Sequence, residues 1–414
     1  MSARPNERGR LRALGGERSQ LALAGLALAL VWAFATTIGP FSDTTVNDLY
    51  VYRSYADLMA AGHLPYLGFG FEYPPLAALP LWLAGLEGRD DPTYAVSFAV
   101  LMGGCALVGQ QLAARLAGVG RERVTVAWLL AAAPVAIGAA VRTHFDALPI
   151  AIALGGMLAL GKGRPYVGFA LLGVGTMTKL FPGLLAAIAF VWLLSRGERV
   201  AALRGAAIFV AVVCAISLPF AGSGYIGSFT FHIDRPVQIE STPATVLFAL
   251  GGSQVTGTNL RPDRFKSNGL DGGHADAVQR AFAVLLVLAL VGIVALAGRR
   301  RVLVEEDDRR HLVLCGFAAL LAFVALGKVF SPQYVIWLAP FAAIAWVWGR
   351  RAVALLAGLA IVLTQVEFPS RYFDLINERH DVIRIVAARN VSLLAALLVL
   401  VVSLARVPRP ALTS

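Results

Sequence analysis

Apolar residues run through this chain in long stretches broken by short polar ones. Leu21 to Phe41 holds no charged residue and is long enough, as a helix, to cross a hydrocarbon core of about 30 Å. Comparable stretches follow near 94–116, 124–140, 147–160, 165–178, 181–195, 203–221, 277–297, 311–326, 333–348, 352–367 and 388–405. Together with 19–41 they predict an all-α polytopic membrane protein of about 12 transmembrane helices, with both termini cytoplasmic. Several stretches are short for a full crossing, so their flanks must extend the helix or the bilayer must thin locally. No internal repeat is visible, and residues 1–414 read as one integral membrane domain.

Two connections between the apolar stretches are long. The first, 42–92, begins with an amphipathic pattern in which Leu49, Tyr52, Ala56 and Met59 share one helical face, and Gly62 ends it. Leu76 to Leu86 is apolar, too short to span, and is expected to lie in the membrane interface. The second, 221–276, opens with a dense polar run from His232 to Thr242. Its later part, Gly251 to Gly273, is rich in Gly, Asn and Ser and is expected to be mobile. A third, shorter connection runs from Glu367 to Arg384.

Composition supports the membrane class, since 58% of the residues are hydrophobic and only 15% charged, against about 25% charged in soluble domains. The net charge of +11 raises the question of a nucleic-acid partner. The basic residues answer it by their placement. They cluster at Arg8, Arg10, Arg12 and Arg18; Arg115, Arg121 and Arg123; Arg196, Arg199 and Arg204; Arg299, Arg300 and Arg301; Arg350 and Arg351; Arg406 and Arg409. These fall on alternate connections, the positive-inside pattern, so the charge reports orientation and no nucleic acid is expected. The basic start and Ala33-Phe34-Ala35 imitate a signal peptide, but the apolar run is longer than such a segment usually has, so a retained first helix is expected. Cys105, Cys214 and Cys315 all sit in apolar stretches and imply no disulfide framework. Histidines and cysteines lack metal-ligand spacing, and neither a metal nor another cofactor is expected.

Charges within the apolar stretches lie at their ends, and the polar candidates fall mainly on the connections opposite the basic clusters. A transporter would carry charge near the midplane. A row of acids, cations and histidines at one surface instead points to a reaction there. Asp48 follows Asn47, a suitable helix cap, and is expected in the first helical turn, where the dipole favours an ionised carboxylate able to take a proton from a hydroxyl. Asp43 and Asp57 are weaker rivals. Glu72 and Tyr73 precede Pro74 and Pro75, which hold the chain extended and fix both side chains. In the run from Phe231 to Ser241, Pro236 suits a first helical turn, which would point Arg235 and Gln238 the same way. Arg235 suits a phosphate, and His232, Gln238 and Glu240 suit hydroxyls. Ser331 as cap and Pro332 as first residue define a helix N-terminus which, with Lys328, makes an anion seat. Weaker points are Arg142-Thr143-His144-Phe145-Asp146, Lys179 before Pro182, and Arg371-Tyr372, each as readily an interfacial anchor or ion pair.

Asp48 after the first apolar stretch, Glu72-Tyr73-Pro74-Pro75, Lys179 with Pro182, Arg235 with Gln238, Glu240 and Ser241, and Ser331-Pro332-Gln333-Tyr334 running to Trp337 and Pro340 together resemble family 87 of the glycosyltransferases, of the GT-C class. The likeness covers about residues 20 to 400 and rests on the order and sidedness of these segments. It implies an integral enzyme of the cell membrane that takes a sugar from a polyprenyl-phosphate donor on the extracytoplasmic side. It further implies that Asp48 is the catalytic base. The family includes a mannosyltransferase of phosphatidylinositol mannoside synthesis and an arabinofuranosyltransferase, so mannose is expected, arabinofuranose being the alternative, with a lipid or glycan acceptor. Lys328, Arg235, Lys179 and Ser331 are then expected around the donor phosphate. Glu72, Tyr73, His232, Gln238, Glu240, Gln333 and Arg371 are expected around the sugar and acceptor. A lipid flippase is the rival from another class, and a non-catalytic subunit of envelope assembly a third reading. The segment Gly251–Gly273 matches no motif of the family.

Overall fold

The computed structural model describes residues 5–35, 38, 42–261, 263–299 and 305–406, and the side chains of these except 5–14, 305 and 306. Pro40 and Phe41 at the end of the first predicted span, Arg300, Arg301 and Arg409, and the side chains of Arg8, Arg10 and Arg12 lie outside the described residues.

The chain begins with helix α1 (Pro5–Ala35), then α2 (Leu49–Ala60) and α3 (Ala78–Ala84) in the first long connection. Next come α4 (Asp91–Ala117), α5 (Arg121–Ile137), the short α6 (Ala140–Thr143), α7 (Ala147–Gly161), α8 (Pro165–Thr176), α9 (Pro182–Ser195) and α10 (Arg199–Ser217). The second long connection holds α11 (Ser223–Asp234), strand β1 (Val237–Gln238), α12 (Thr242–Leu250), β2 (Gln254–Thr256) and β3 (Gly269–Asp271). The chain closes with α13 (Ala275–Ala297), α14 (Glu305–Leu326), α15 (Val335–Val347), α16 (Arg351–Glu367), α17 (Tyr372–Ile376) and α18 (His380–Ala405). Every apolar stretch expected to span falls on one of these helices. Five described helices are long and apolar enough to cross a membrane: 91–117, 199–220, 275–297, 307–326 and 380–405.

Local chemistry explains the boundaries. The Asp90 side chain accepts from Thr93 N at 3.1 Å ahead of Pro92 and so opens α4. The Ser241 hydroxyl accepts from Ala244 N at 3.3 Å at the start of α12. Pro165 and Pro182 occupy first-turn positions of α8 and α9. Gly62, at φ +89°, adopts the left-handed conformation that lets the chain leave α2.

The helices are layered by polarity. α15 is hydrophobic all round and buried on nearly every residue, as a central helix must be. Its buried residues share one core with Leu185, Phe317, Leu320, Ala357 and Leu400 of other helices. At the periphery α13 exposes Val284, Leu285, Val287, Leu288 and Val291. Such a continuous apolar face is stable against lipid and not against water. Turns of a few residues join α4 to α5, α7 to α8, α9 to α10 and α15 to α16, which makes these pairs antiparallel and gathers their basic residues at one end. There Arg123 pairs with Glu17 at 3.0 Å and Arg310 with Glu122 at 3.2 Å, and Arg196 pairs with Asp308.

The long connections meet at the other end. Residues 42–92 form an aromatic subcore: Tyr52, Tyr55, Phe71 and Leu81 pack with Phe98 and Met102 of α4 and with Phe145. The buried face of α2 is Val51, Tyr52, Tyr55 and Ala56, so Tyr52 and Ala56 of the expected stripe are buried while Leu49 and Met59 are half-buried at its edges. Gly224 in α11 approaches the first connection so closely that a Cβ there would lie 2.1 Å from the Tyr66 carbonyl oxygen. The segment 251–273 does not form a structureless loop. Strands β2 and β3 pair antiparallel with each other and β3 with β1, in the order β1-β3-β2. Leu270 is buried at the centre of that sheet, opposite Val237 and Val255. Pro236 opens no helix either: α11 ends at Asp234 and the chain continues as a strand. Lys328 N–H donors explain this, since they occupy the last α11 carbonyls (below), and Gln238 N donates to Lys328 O at 2.9 Å.

Candidate active site

A cavity of about 1000 Å³ opens where the long connections converge. Its wall carries Asp48 and Glu72 from the first connection, His144 and Lys179 from short helix-to-helix turns, Arg235 after α11, and Lys266 before β3. The apolar side chains Leu180, Phe229, Leu286 and Phe323 also line this cavity.

Asp48 is the residue before α2, one position ahead of the expected first turn. Its carboxylate makes no capping bond, because Asn47 Oδ1 accepts from Leu49 N at 2.8 Å and does that work. The Asp48 side chain is therefore left to the cavity, 34% exposed. Tyr52, one turn on, donates its hydroxyl to Asp48 Oδ2 at 3.2 Å, and His144 Nε2 lies 3.4 Å from the same oxygen. Asp48 Oδ1 takes no hydrogen bond from a described residue. The rivals are engaged elsewhere: Asp43 accepts from Thr45 and Ser370, and Asp57 pairs with Arg89 at 3.1 Å.

Glu72 is held, as the following prolines require, but its carboxylate is already partnered. It accepts from the Tyr55 hydroxyl, and Lys266 Nζ donates to Tyr55 Oη at 2.5 Å and reaches Glu72 at 3.5 Å. Burial first, and the Glu72 charge second, push the Tyr55 hydroxyl far above the usual phenol range, so it keeps its proton and remains the donor. His232 Nε2 donates to the Glu72 carbonyl at 2.8 Å, and burial lowers its tendency to ionise. Tyr73 lies beneath, its ring edge-on to Phe145 at 5.1 Å.

The four cations differ in what they have to spare. Lys179 is paired with buried Asp146 at 2.6 Å and sits over the Phe145 ring at 4.7 Å. Trp337 Nε1 donates to the same Asp146 oxygen at 2.5 Å. Lys328 does not form the open anion seat expected of it. Its Nζ donates to the carbonyls of Ile233 at 2.6 Å and Arg235 at 2.7 Å, closing the end of α11, and burial lowers its ammonium pKa. Lys266 is occupied by Tyr55 and Glu72. Arg235 uses only Nε, which donates to Ser267 Oγ at 3.0 Å. Its two terminal nitrogens donate to no described residue, so the guanidinium fork is available on the cavity wall.

Three other expectations are corrected. Gln238 and Glu240 line the cavity but are committed within the protein. Gln238 Nε2 donates to Glu240 at 2.6 Å, and its Oε1 accepts from Phe330 N at 3.1 Å. Glu240 is 1% exposed, and Arg389 donates to its carbonyl. Arg371 is not on the cavity wall; it pairs with Asp374 and Asp381. Ser331 and Gln333 do line the cavity, but the Ser331 hydroxyl makes no capping bond and Pro332–Tyr334 is a 3-10 turn before α15. In the sequence His144 suits an interfacial anchor or ion pair as readily as a site residue, and Lys266 is not marked. His144 lay beside Phe145 and Asp146 in a cluster already noticed. Lys266 lay in a stretch without periodicity and gave no signal.

The profile of glycosyltransferase family 87 matches residues 71–326. No curated protein matches the chain. Among solved structures, that of ArnT from Cupriavidus metallidurans in the apo state is similar at 14% identity and a TM-score of 0.46, covering 92% of this chain and 76% of that one.

Proposed function

The chain belongs to glycosyltransferase family 87, and from that premise we propose that it is a GT-C enzyme moving a sugar from a polyprenyl-phosphate donor to a lipid or glycan acceptor on the extracytoplasmic side of the cell membrane, with inversion. One observation carries the reading. A carboxylate oxygen and a guanidinium fork, neither with a partner among the described residues, share a cavity lined by both polar and apolar side chains.

Asp48 takes the proton of the acceptor hydroxyl as its oxygen attacks the anomeric carbon. The polyprenyl phosphate leaves from the opposite face. A phosphate needs cations to receive its developing charge, not an acid to protonate it. Arg235 meets two phosphate oxygens with its fork, and Lys328 offers its remaining N–H. Lys179, already neutralised by Asp146, adds little. Leu180, Phe229, Leu286 and Phe323 receive the first isoprene units. A glycosidase would need two carboxylates free to act. Glu72 is bound to Tyr55 and Lys266, so a single-base transfer fits better. Its role is to fix the floor of the sugar site, with Tyr73 and His232. We take mannose as the sugar, on the strength of the family likeness, with arabinofuranose as its competitor, and residues 1–414 as one catalytic domain.

The purified full-length chain, given a panel of polyprenyl-phosphate sugars and membrane glycolipid extract, should yield a product heavier by one sugar. Asp48→Asn should lower turnover by about 100- to 10,000-fold with donor binding retained. Near-normal transfer by that variant defeats the assignment. Movement of labelled donor across vesicles without transfer supports a flippase instead.

A further inference from the structure

Asp48 does not stand alone on the cavity wall. Oδ2 is approached by the Tyr52 hydroxyl at 3.2 Å and by His144 Nε2 at 3.4 Å. His144 is only 3% exposed, yet both ring nitrogens have polar neighbours. Nδ1 is 3.0 Å from Thr143 Oγ1, and that hydroxyl is also 3.0 Å from the Ala139 carbonyl. A hydroxyl has one proton, which it can turn to either neighbour. Turned to Nδ1, it serves a neutral imidazole whose proton sits on Nε2, facing Asp48. Turned to Ala139, it accepts from Nδ1–H and serves an imidazolium. The buried ring therefore keeps a partner for each nitrogen in both charge states, with an N–H toward Oδ2 in each.

We propose that His144 is a positioning residue for the Asp48 base: with Tyr52 it holds Oδ2, so that Oδ1 is the atom that receives the acceptor proton. This rests on the reading of Asp48 given above. In the step, the acceptor O–H bond breaks, its proton goes to Oδ1, and its electron pair forms the new bond to the anomeric carbon. The bond from that carbon to the phosphate oxygen breaks, and its pair stays on the phosphate. His144 neither gains nor loses a proton in the step. A second proton on the ring, however, sets a cation 3.4 Å from the base and makes the carboxylate a poorer proton acceptor. Transfer should therefore fall as the ring is protonated.

The neighbouring groups leave this effect readable. Tyr50 and Tyr52 on the α2 side and Tyr73 below are all pushed above the usual phenol range, by burial first, and stay neutral. Asp146 is tied to Lys179 and Trp337. Phe368, whose ring centroid is 6.3 Å from that of His144, carries no charge. Glu72 is bound to Tyr55 and Lys266. His232, the other cavity-wall imidazole among the described residues, is bound to the Glu72 carbonyl.

The test is the pH profile of kcat and KM for transfer from polyprenyl-phosphate mannose, or whichever donor of the panel is turned over, across about pH 5 to 9, the range in which histidines titrate. His144→Gln keeps an amide N–H at the place of Nε2 but cannot ionise. It should retain turnover at neutral pH to within about tenfold, with its acid limb displaced to lower pH. His144→Ala should lower kcat by about 10- to 100-fold, the usual cost of losing an orienting partner, with little change in KM. Thr143→Val removes the hydroxyl that supports the doubly protonated ring and should also displace the acid limb downward, which guards against a folding defect in the histidine variants. His380→Gln, at an exposed position away from the cavity, should keep the limb of the unaltered protein. Superimposable profiles for His144→Gln, Thr143→Val and the unaltered protein overturn the proposal. If Asp48→Asn is inactive in the same series while those profiles coincide, the positioning role alone has failed. If Asp48→Asn transfers normally, the reading of the base has failed.

Discussion

At the scale of single residues, what distinguishes the cavity side chains is not their type but whether a partner already holds them. Lys179, Lys328 and Lys266 each carry an amine on the cavity wall, and each is engaged by an acid, a pair of carbonyls or a phenol. Arg235 keeps its fork. Replacing it therefore has a predictable cost: Arg235→Ala should raise the donor Kd by about 10- to 100-fold, the worth of charge-assisted hydrogen bonds. Arg235→Lys should recover only part, because an ammonium meets one oxygen where the fork meets two. Donor binding measured without acceptor checks both; unchanged affinity moves the phosphate elsewhere. Asp48 stood out in the sequence because it follows a helix cap, and Arg235 because it lies in a dense polar run. Their availability did not. Gln238 and Glu240 look equally suited to hydroxyls, and their mutual bond, the Phe330 N–H on Gln238 and the burial of Glu240 engage them within the protein.

At the scale of elements, the twelve helical stretches were legible because hydrophobicity sustained over many residues survives any local detail. The sheet β1-β3-β2 was not. Its strands are two or three residues long, too short for alternation to register, and its composition imitates a loop. What orders it is long-range: Asn268 Nδ2 donates to the carbonyls of Thr256 at 3.0 Å and Gly257 at 3.1 Å, and its Oδ1 accepts from Tyr372 at 3.1 Å. Asn268→Ala strands the buried Tyr372 hydroxyl and frees the less buried Thr256 and Gly257 carbonyls to water, and should cost about 1–3 kcal/mol. Amide exchange at Val255 and Leu270 should speed up, and because the same hairpin carries Lys266 and Ser267 to the cavity, acceptor KM should rise. Unchanged exchange would mean the hairpin is held by something other than this side chain.

At the scale of the whole molecule, Arg389 joins parts that are far apart in the chain. It is fully buried, lies 3.9 Å from the centre of the Phe330 ring, and sits 3.8 Å from the Glu240 carboxylate and 3.7 Å from that of Glu367. One cation thus serves two buried acids, and desolvation pushes the Glu240 carboxyl up despite Arg389. The sign follows: a carboxyl raised in the folded state favours folding at low pH, and that contribution is lost as pH rises through the raised value. Glu240→Gln removes this dependence and should leave thermal stability at neutral pH unchanged or higher, with a flatter pH profile. Arg389→Leu leaves two buried acids without a cation and should cost about 3–5 kcal/mol. Melting of the detergent-solubilised protein across pH separates these outcomes, and a stabilising Arg389→Leu would sink the account. The amino-acid sequence by itself determined that the protein is a bundle of membrane helices and that its polar candidates collect on one set of connections, because solvent partition acts on each stretch separately. Tertiary structure decided which of those candidates remain unpaired, because a hydrogen bond such as Lys266 to Tyr55 or Lys328 to Ile233 is a property of two elements meeting, and neither element carries a record of it.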